Sequence, residues 1–121
     1  MWMKVNSVYD GDTITVLCFY NGSLVRWRCR MVGYDSPEMR TKNANEKEAA
    51  VSAREFLKTL LPKGVFLGPC KGLDKYGRLL LDLKHKSIPI KDIMILNTHG
   101  YAYEGRTKQP WSEEAKVSKM Q

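Results

Sequence analysis

Alternation of apolar and polar residues dominates the first third of the chain and predicts β-structure there. Residues 5–9 alternate and run into Asp10-Gly11, which is a turn signal. Residues 13–20 are rich in β-branched and aromatic side chains, and Asn21-Gly22 is a typical two-residue hairpin turn. Residues 24–34 alternate again, so they form the returning strand. The pattern therefore predicts three sequential strands.

The third predicted strand carries arginines on one face. Arg26, Arg28 and Arg30 alternate with an apolar series at Val25, Trp27, Cys29 and Met31. Arginines on one face of a strand are most often solvated, and this is the interpretation for Arg26 and Arg28. Arg30 is different, because it opens a motif discussed below.

The rest of the chain mixes helical and strand patterns. Residues 46–61 have helical spacing, with Asn45 as the predicted cap and Pro62 as part of the stop. Residues 65–70 and 79–83 read as strands around a turn at 74–78. Residues 90–99 predict a second helix that stops at Gly100, and 112–121 predict a short third one.

Five strands with one helix after the third and another after the fifth predict an α+β, mainly-β fold. We expect a five-stranded OB-fold barrel with two to three helices. With 121 residues the chain is expected to be one domain, 1–121, with a core at about 5–103 and a charged tail at 104–121.

The net charge of the chain narrows the classes of binding partner. Twenty Lys and Arg against thirteen Asp and Glu give a net charge of +7, which favours nucleic acid or an anionic membrane. No apolar run of membrane-spanning length and no basic amphipathic helix occurs, so no membrane role is expected. No signal peptide is visible, so an intracellular location is expected. The three cysteines match no zinc spacing and are interpreted as small buried residues: Cys18, Cys29 and Cys70.

Acidic clusters and arginines coincide with the predicted strand ends. They form D-G-D-T at 10–13, R-x-x-G-x-D-x-P-E at 30–38 and D-K-Y-G-R at 74–78. Carboxylate oxygens are ligands for hard cations, and a guanidinium binds phosphate oxygens with a planar fork. Taken singly, each aspartate is also an ordinary turn residue. Together the clusters predict a metal-dependent phosphodiesterase site.

These three motifs, in this order, resemble the staphylococcal-nuclease-like (thermonuclease) family over residues 5–103. The resemblance implies that Ca²⁺ binds the carboxylates of Asp12 and Asp35 and the backbone carbonyl of Ser36. It implies a neighbouring, supporting carboxylate at Asp10, for which a plain turn role is equally acceptable.

The resemblance also implies the catalytic residues. Glu38 aligns or deprotonates the attacking water, and the sequence leaves open which of the two it does. Arg30 and Arg78 stabilise the charge that develops on the phosphate oxygens.

Substrate contacts are implied less firmly. Tyr76 matches a tyrosine that hydrogen-bonds a substrate phosphate, with packing on the barrel as the alternative. Lys75 and Lys71 flank the phosphate path as point charges. Tyr101 and Tyr103 are candidates for stacking a base, and the sequence does not decide between them.

Two functions from different classes follow. The first is a Ca²⁺-dependent nuclease acting on DNA, RNA or both as a monomer and leaving 3′-phosphate ends, as the resemblance implies. The second is a non-catalytic OB-fold module that binds nucleic acid. The presence of Asp12, Asp35, Glu38, Arg30 and Arg78 favours the enzyme.

Overall fold

The computed structural model of the protein describes residues 1–103, which form ten strands and two helices. The strands are β1 (Trp2–Val8), β2 (Thr13–Tyr20), β3 (Ser23–Met31), β4 (Tyr34–Asp35), β5 (Val65–Leu67), β6 (Cys70–Leu73), β7 (Leu79–Leu81), β8 (Lys84–His85), β9 (Ile88–Pro89) and β10 (Tyr101–Ala102). The helices are α1 (Ala44–Leu60) and α2 (Ile90–Leu96).

Six strands form one sheet in the order β5-β1-β2-β3-β7-β6. The three sequential strands predicted at the start of the chain are its antiparallel centre, and Asn21 and Gly22 turn between two of them with φ of 51° and 79°. The two edge strands, β5 and β6, are separated in the chain only by Gly68 and Pro69. Because two residues span the gap, the sheet has to curl until its edges approach each other.

The predicted fold class is confirmed: the protein is mainly β, with an OB-fold-like curled sheet and two helices. The count of five strands was wrong: the segments 24–34 and 65–70 were each predicted as one strand but contribute to two, and the short strands β8, β9 and β10 were not predicted. Pro69 has no N–H to donate to a ladder, and the chain breaks there into β5 and β6. Apolar side chains on the inner face of the sheet pack with both helices to form the core, among them Ile14, Val16, Leu81, Leu57 and Met94.

The start of α1 corrects the sequence prediction. Asn43, not Asn45, is the cap: its Oδ1 accepts a hydrogen bond from the backbone N–H of Glu46 at 3.0 Å. Both asparagines precede the apolar pattern, so periodicity alone did not separate them.

The second helix is shorter than predicted. It ends at Leu96, and Thr98 follows with a left-handed φ of 61°. Gly100 therefore does not stop the helix. It has a different role, because a Cβ at that position would lie 2.9 Å from the carbonyl oxygen of Asp35 and 3.0 Å from the Tyr34 ring. A residue without a side chain allows β10 to pack against β4.

The predictions for the cysteines and for a third helix can also be compared with the structure. Cys18 and Cys29 are buried as expected, but Cys70 is exposed on edge strand β6, so that interpretation was wrong for Cys70. The predicted third helix at 112–121 lies outside the described residues. No helix within residues 1–103 is long and apolar enough to cross a bilayer.

Candidate active site

Five separate segments of the chain meet around one open cavity of about 500 Å³, one of them the residue after β10, Tyr103. The others are the β1–β2 turn, the outer face of β3, the loop after β4 and the β6–β7 turn. The cavity is lined by Tyr9, Asp10, Asp12, Thr13, Arg28, Arg30, Glu38, Lys75, Tyr76, Arg78 and Tyr103. Most of these side chains are charged, with both signs present.

The β1–β2 turn is held tightly against the body of the protein. A Cβ at Gly11 would lie 2.8 Å from the Cβ atoms of both Ala53 and Ser36, so only glycine fits between α1 and the segment after β4. The hydroxyl of buried Tyr34 donates to the Gly11 carbonyl at 2.5 Å. The backbone N–H of Ser36 donates to Asp12 Oδ2 at 2.9 Å. These contacts fix Asp12 next to Asp35 and Ser36.

Arg30 joins the two aspartates. Its Nη1 lies 2.9 Å from Asp12 Oδ2, and its Nη2 lies 3.1 Å from Asp35 Oδ1. Nη1 also donates to the carbonyl of Tyr34 at 3.0 Å, and the guanidinium lies 5.7 Å from the centre of the Tyr103 ring. Asp35 itself is fully buried behind the cavity wall. One guanidinium therefore offsets two buried carboxylates while facing the cavity.

The acidic side of the cavity carries strong mutual repulsion. Burial raises the pKa of Asp10 to about 8, and the neighbouring charges of Asp12 and Glu38 raise it in the same direction. Asp10 Oδ1 also accepts the backbone N–H of Asp12 at 3.1 Å. Burial likewise raises the pKa of the Tyr34 hydroxyl well above its ordinary value. With its pKa raised to about 8, Asp10 favours the protonated form near neutral pH, which relieves the repulsion between neighbouring carboxylates.

Arg78 reaches the cavity from a different kind of structure, a tight turn organised by Asp74. Asp74 Oδ1 accepts the backbone N–H groups of Tyr76 and Arg78, both at 2.9 Å, and its Oδ2 lies 2.6 Å from Arg78 Nε. Gly77 supplies a φ of 79° within the turn. Burial opposes the charge on Asp74, but the hydrogen bonds from Arg78 and Tyr76 outweigh it, so its pKa is lowered.

A contact from the long hairpin supports this turn. Trp27 Nε1 donates to the carbonyl of Gly77 at 2.9 Å, and the Trp27 ring makes an edge-on contact with Tyr20 at 5.2 Å between ring centres. The sequence analysis assigned Trp27 only to the apolar face of β3. Nothing in the sequence pairs it with a residue fifty positions away.

Glu38 lines the cavity on a loop that α1 holds in place. Its backbone N–H donates to Glu46 Oε2 at 3.2 Å, and Thr41 Oγ1 donates to Glu46 Oε1 at 2.7 Å. Sequence reasoning missed Glu46. The available signal was its place three residues after the cap Asn43, where a glutamate commonly turns back towards the residues before a helix.

The predicted substrate residues divide between two locations. Lys75, Tyr76 and Tyr103 line the cavity, and Lys75 and Arg78 lie 5.2 Å and 5.4 Å from the centre of the Tyr76 ring. Lys71 is exposed on β6, outside the cavity lining. Tyr101 is buried and pairs with Asp35 in the β4–β10 ladder. Of the two candidate tyrosines, therefore, only Tyr103 faces the cavity.

Two lining residues were not expected at the site. Arg28 is exposed, as its interpretation as solvated predicts, and it also lines the cavity with its guanidinium 5.8 Å from the centre of the Tyr9 ring. The signal was present in the alternation, because Arg28 lies two residues before Arg30 on the same face of β3.

The donor set for a metal is small. Among residues 1–103 no three His, Cys, Asp or Glu side chains group as a metal site. Asp12 and Asp35 contribute one carboxylate each beside Ser36, whose Oγ is buried with no hydrogen-bond partner among the described residues. Two carboxylates and a carbonyl fit a hard cation whose remaining ligands are water or phosphate oxygens. Because Arg30 contacts both carboxylates, such a cation would share them with a guanidinium.

The fold and the cavity define a small mainly-β protein with an open cleft that is lined by side chains of both charge signs. A family model described as staphylococcal nuclease homologue matches residues 28–121, and the chain belongs to this family. The matched residues include Arg30, Asp35, Glu38 and Arg78, whereas Asp12 lies before them. No curated protein matched the chain.

Proposed function

We propose that this protein is a Ca²⁺-dependent nuclease that hydrolyses phosphodiester bonds of DNA, RNA or both. The observation that carries the proposal is the convergence of Arg30, Arg78 and Glu38, from three separate segments, on one cavity. A net charge of +7 adds general attraction for a polyanion. A site built only to bind phosphate has no need for a carboxylate beside its arginines, since a carboxylate repels the ligand.

In this proposal the arginines act on the phosphate that is cleaved. Attack at phosphorus places extra negative charge on the non-bridging oxygens, and a guanidinium fixed in advance stabilises that charge. Arg30 is held in position by Asp12 and Asp35, and Arg78 by Asp74. Neither arginine has to reorganise when the charge develops.

Glu38 and the aspartates divide the acidic roles. Glu38 orients the attacking water or accepts its proton, which requires the ionised carboxylate. Asp12, Asp35 and the Ser36 carbonyl would hold Ca²⁺. When bound, the ion offsets negative charge on the phosphate oxygens and polarises its water ligands.

The reaction balances as a hydrolysis. A water oxygen bonds to phosphorus, the bond from phosphorus to the 5′ oxygen breaks, and that oxygen leaves with a proton. The products are a 3′-phosphate and a 5′-hydroxyl, as the family resemblance implies.

The test measures cleavage of single- and double-stranded DNA and RNA with Ca²⁺, with Mg²⁺ and with chelator. We expect cleavage with Ca²⁺ and none in chelator. Arg78→Ala should reduce the single-turnover rate about 10²–10³-fold. Arg54→Ala is the matched control, because it removes an arginine of α1 that pairs with Glu55 outside the cavity.

Three results would contradict the proposal in different ways. Full activity in chelator, after metal removal has been verified, would show that cleavage requires no metal ion. Equal rate losses for Arg78→Ala and Arg54→Ala would show that the cavity is not the catalytic site. Binding of nucleic acid without cleavage in any metal would identify a binding module instead.

A further inference from the structure

The outer face of the curled sheet carries an exposed apolar row. The strand register places Leu67 of β5 beside Trp2 of β1, and Phe19 of β2 beside Leu24 of β3. Trp2 lies one residue beyond the Met3–Cys18 pair and is therefore level with Phe19. The four side chains are between 60% and 70% exposed. Large apolar side chains grouped on a solvent-facing sheet indicate a contact surface.

Basic residues lead from this row to the cavity. Along β3 the outward positions are Leu24, Arg26, Arg28 and Arg30, and the last two line the cavity. Outward residues recur every second position, so Leu24 and Arg30 are about 20 Å apart at roughly 3.3 Å per residue. Lys4 of β1 lies in the same cross-strand row as Arg26, with Leu17 of β2 between them. The arginines thus form a continuous series from the cavity to the apolar row.

The face has one sign of charge. Strands β1, β2, β3 and β5 contain no aspartate or glutamate. A second copy of the chain packed here would bring like charges together. A lipid surface accounts for the apolar row but not for arginines that continue into the cavity. A polyanion with flat apolar groups matches both features, because phosphates pair with arginines and bases stack on aromatic rings.

We propose that Arg28, Arg26, Trp2 and Phe19 form an outer track for single-stranded nucleic acid that extends from the cavity. Arg28 and Arg26 contact successive phosphates of the strand that flanks the cleaved bond, and Trp2 and Phe19 stack its bases further out. This inference rests on the proposed function for its direction, since the track begins at the cavity. The binding that it describes does not require cleavage.

The track makes affinity depend on strand length in a specific way. A strand of about 4 nucleotides fills the cavity without reaching Trp2 and Phe19, whereas one of about 12 nucleotides reaches them; both lie within the range of site sizes of OB folds. Longer strands should therefore bind more tightly than their additional charge alone explains.

The experiment measures equilibrium binding of fluorescent single-stranded DNA of these two lengths in chelator, with strand integrity checked on a gel. Replacing both Trp2 and Phe19 by alanine should weaken binding of the long strand about 30-fold or more, because each lost stacking contact weakens binding about 5-fold or more. It should leave binding of the short strand unchanged, and in a separate assay with Ca²⁺ it should leave cleavage of the short strand unchanged. Arg26→Gln should lower the salt dependence of long-strand binding, reducing the slope of log affinity against log salt by about 0.7. Trp2→Phe with Phe19→Tyr should retain most of the affinity, because flat rings remain.

Matched controls lie elsewhere on the surface. Leu96→Ala removes an exposed apolar side chain of α2, and Lys84→Gln removes one positive charge of β8. Neither should change binding at either length.

The outcomes separate this inference from the nuclease proposal. Wild-type cleavage with no length-specific loss in the Trp2/Phe19 variant would overturn the track and leave the nuclease intact. Length-specific loss without any cleavage would support the track and overturn the nuclease. No binding at either length overturns the track. Trp2-dependent binding to phosphatidylserine vesicles, or Phe19-dependent dimerisation, with no length effect on DNA, would assign the face to a lipid surface or a second copy.

Discussion

Arg30 and Arg78 face the same cavity but belong to different kinds of structure. Arg30 is nearly buried and contacts two carboxylates and two backbone carbonyls. Arg78 is more exposed, and its contacts are local: it pairs with Asp74, four residues before it in the same turn, and lies 5.4 Å from the centre of the Tyr76 ring. The first arginine is tied to buried groups from separate segments of the chain, and the second is part of a local turn. Loss of activity on mutation has a different meaning at each of them.

The comparison predicts the largest effect for Arg30. Arg30→Ala removes the charge that offsets buried Asp12 and Asp35, and breaking such a pair costs about 3–5 kcal/mol in the free energy of unfolding. Arg78→Ala breaks a partly exposed pair and should cost about 1 kcal/mol or less. Urea unfolding followed by circular dichroism measures both. Comparable small losses for the two variants would show that Arg30 is not a structural residue.

The intermediate effect concerns Asp74. Asp74→Asn keeps the shape of the turn but removes its charge, and we expect a loss of about 1 kcal/mol at neutral pH. The folded pKa of Asp74 is lowered, so its contribution is present above the unfolded pKa near about 3.9 and is lost as pH falls through the folded value. Unfolding of wild type and variant from about pH 7 to pH 2 should therefore converge at the acid end. A difference in the free energy of unfolding that stays constant across this pH range would show that the charge of Asp74 does not cause the loss.

The smallest effect on stability should come from modifying a cysteine. Cys29 adjoins Arg30 in β3 and is itself buried, and burial raises the pKa of its thiol to about 12. Cys70 is exposed on β6, a few residues before the turn that holds Arg78. A thiol reagent at about pH 8 should label Cys70 quickly without changing unfolding, and should reach Cys29 and Cys18 only after unfolding. Mass spectrometry of a labelling time course gives the order, and early labelling of Cys29 would contradict the buried half of the comparison.

The sequence predicted those features of the fold that are determined by residues close together in the chain. Asn21-Gly22 determines its own backbone angles, and alternation along β3 determines which side chains share a face. The cap at Asn43 was missed because a second asparagine stands two residues later with the same chemistry. The break at Pro69 was missed because residues 65–70 have strand composition on both sides of it.

Contacts between segments that are distant in the chain could not be predicted from the sequence pattern. The motifs indicated that Asp12, Arg30 and Asp35 act together, but not that one guanidinium spans both carboxylates. The contacts of Trp27 with Gly77 and of Tyr34 with Gly11 depend on how the sheet curls. Tyr101 is buried and Tyr103 faces the cavity. This difference depends on the register of β10 against β4. That register is a tertiary property, because Gly100 has to approach Asp35 closely.

The curl of the sheet also sets the order in which the molecule can assemble. Strands β1, β2 and β3 pair with near neighbours in sequence, so they can form early and with little loss of chain entropy. The pairing of Trp2 with Leu67 closes a loop that contains α1, and the Arg78 turn follows later still. Contacts of high sequence separation slow folding. A chain emerging from the ribosome therefore carries the carboxylates and Arg30 well before it carries Arg78, and the cavity is completed only when the last strands close the sheet.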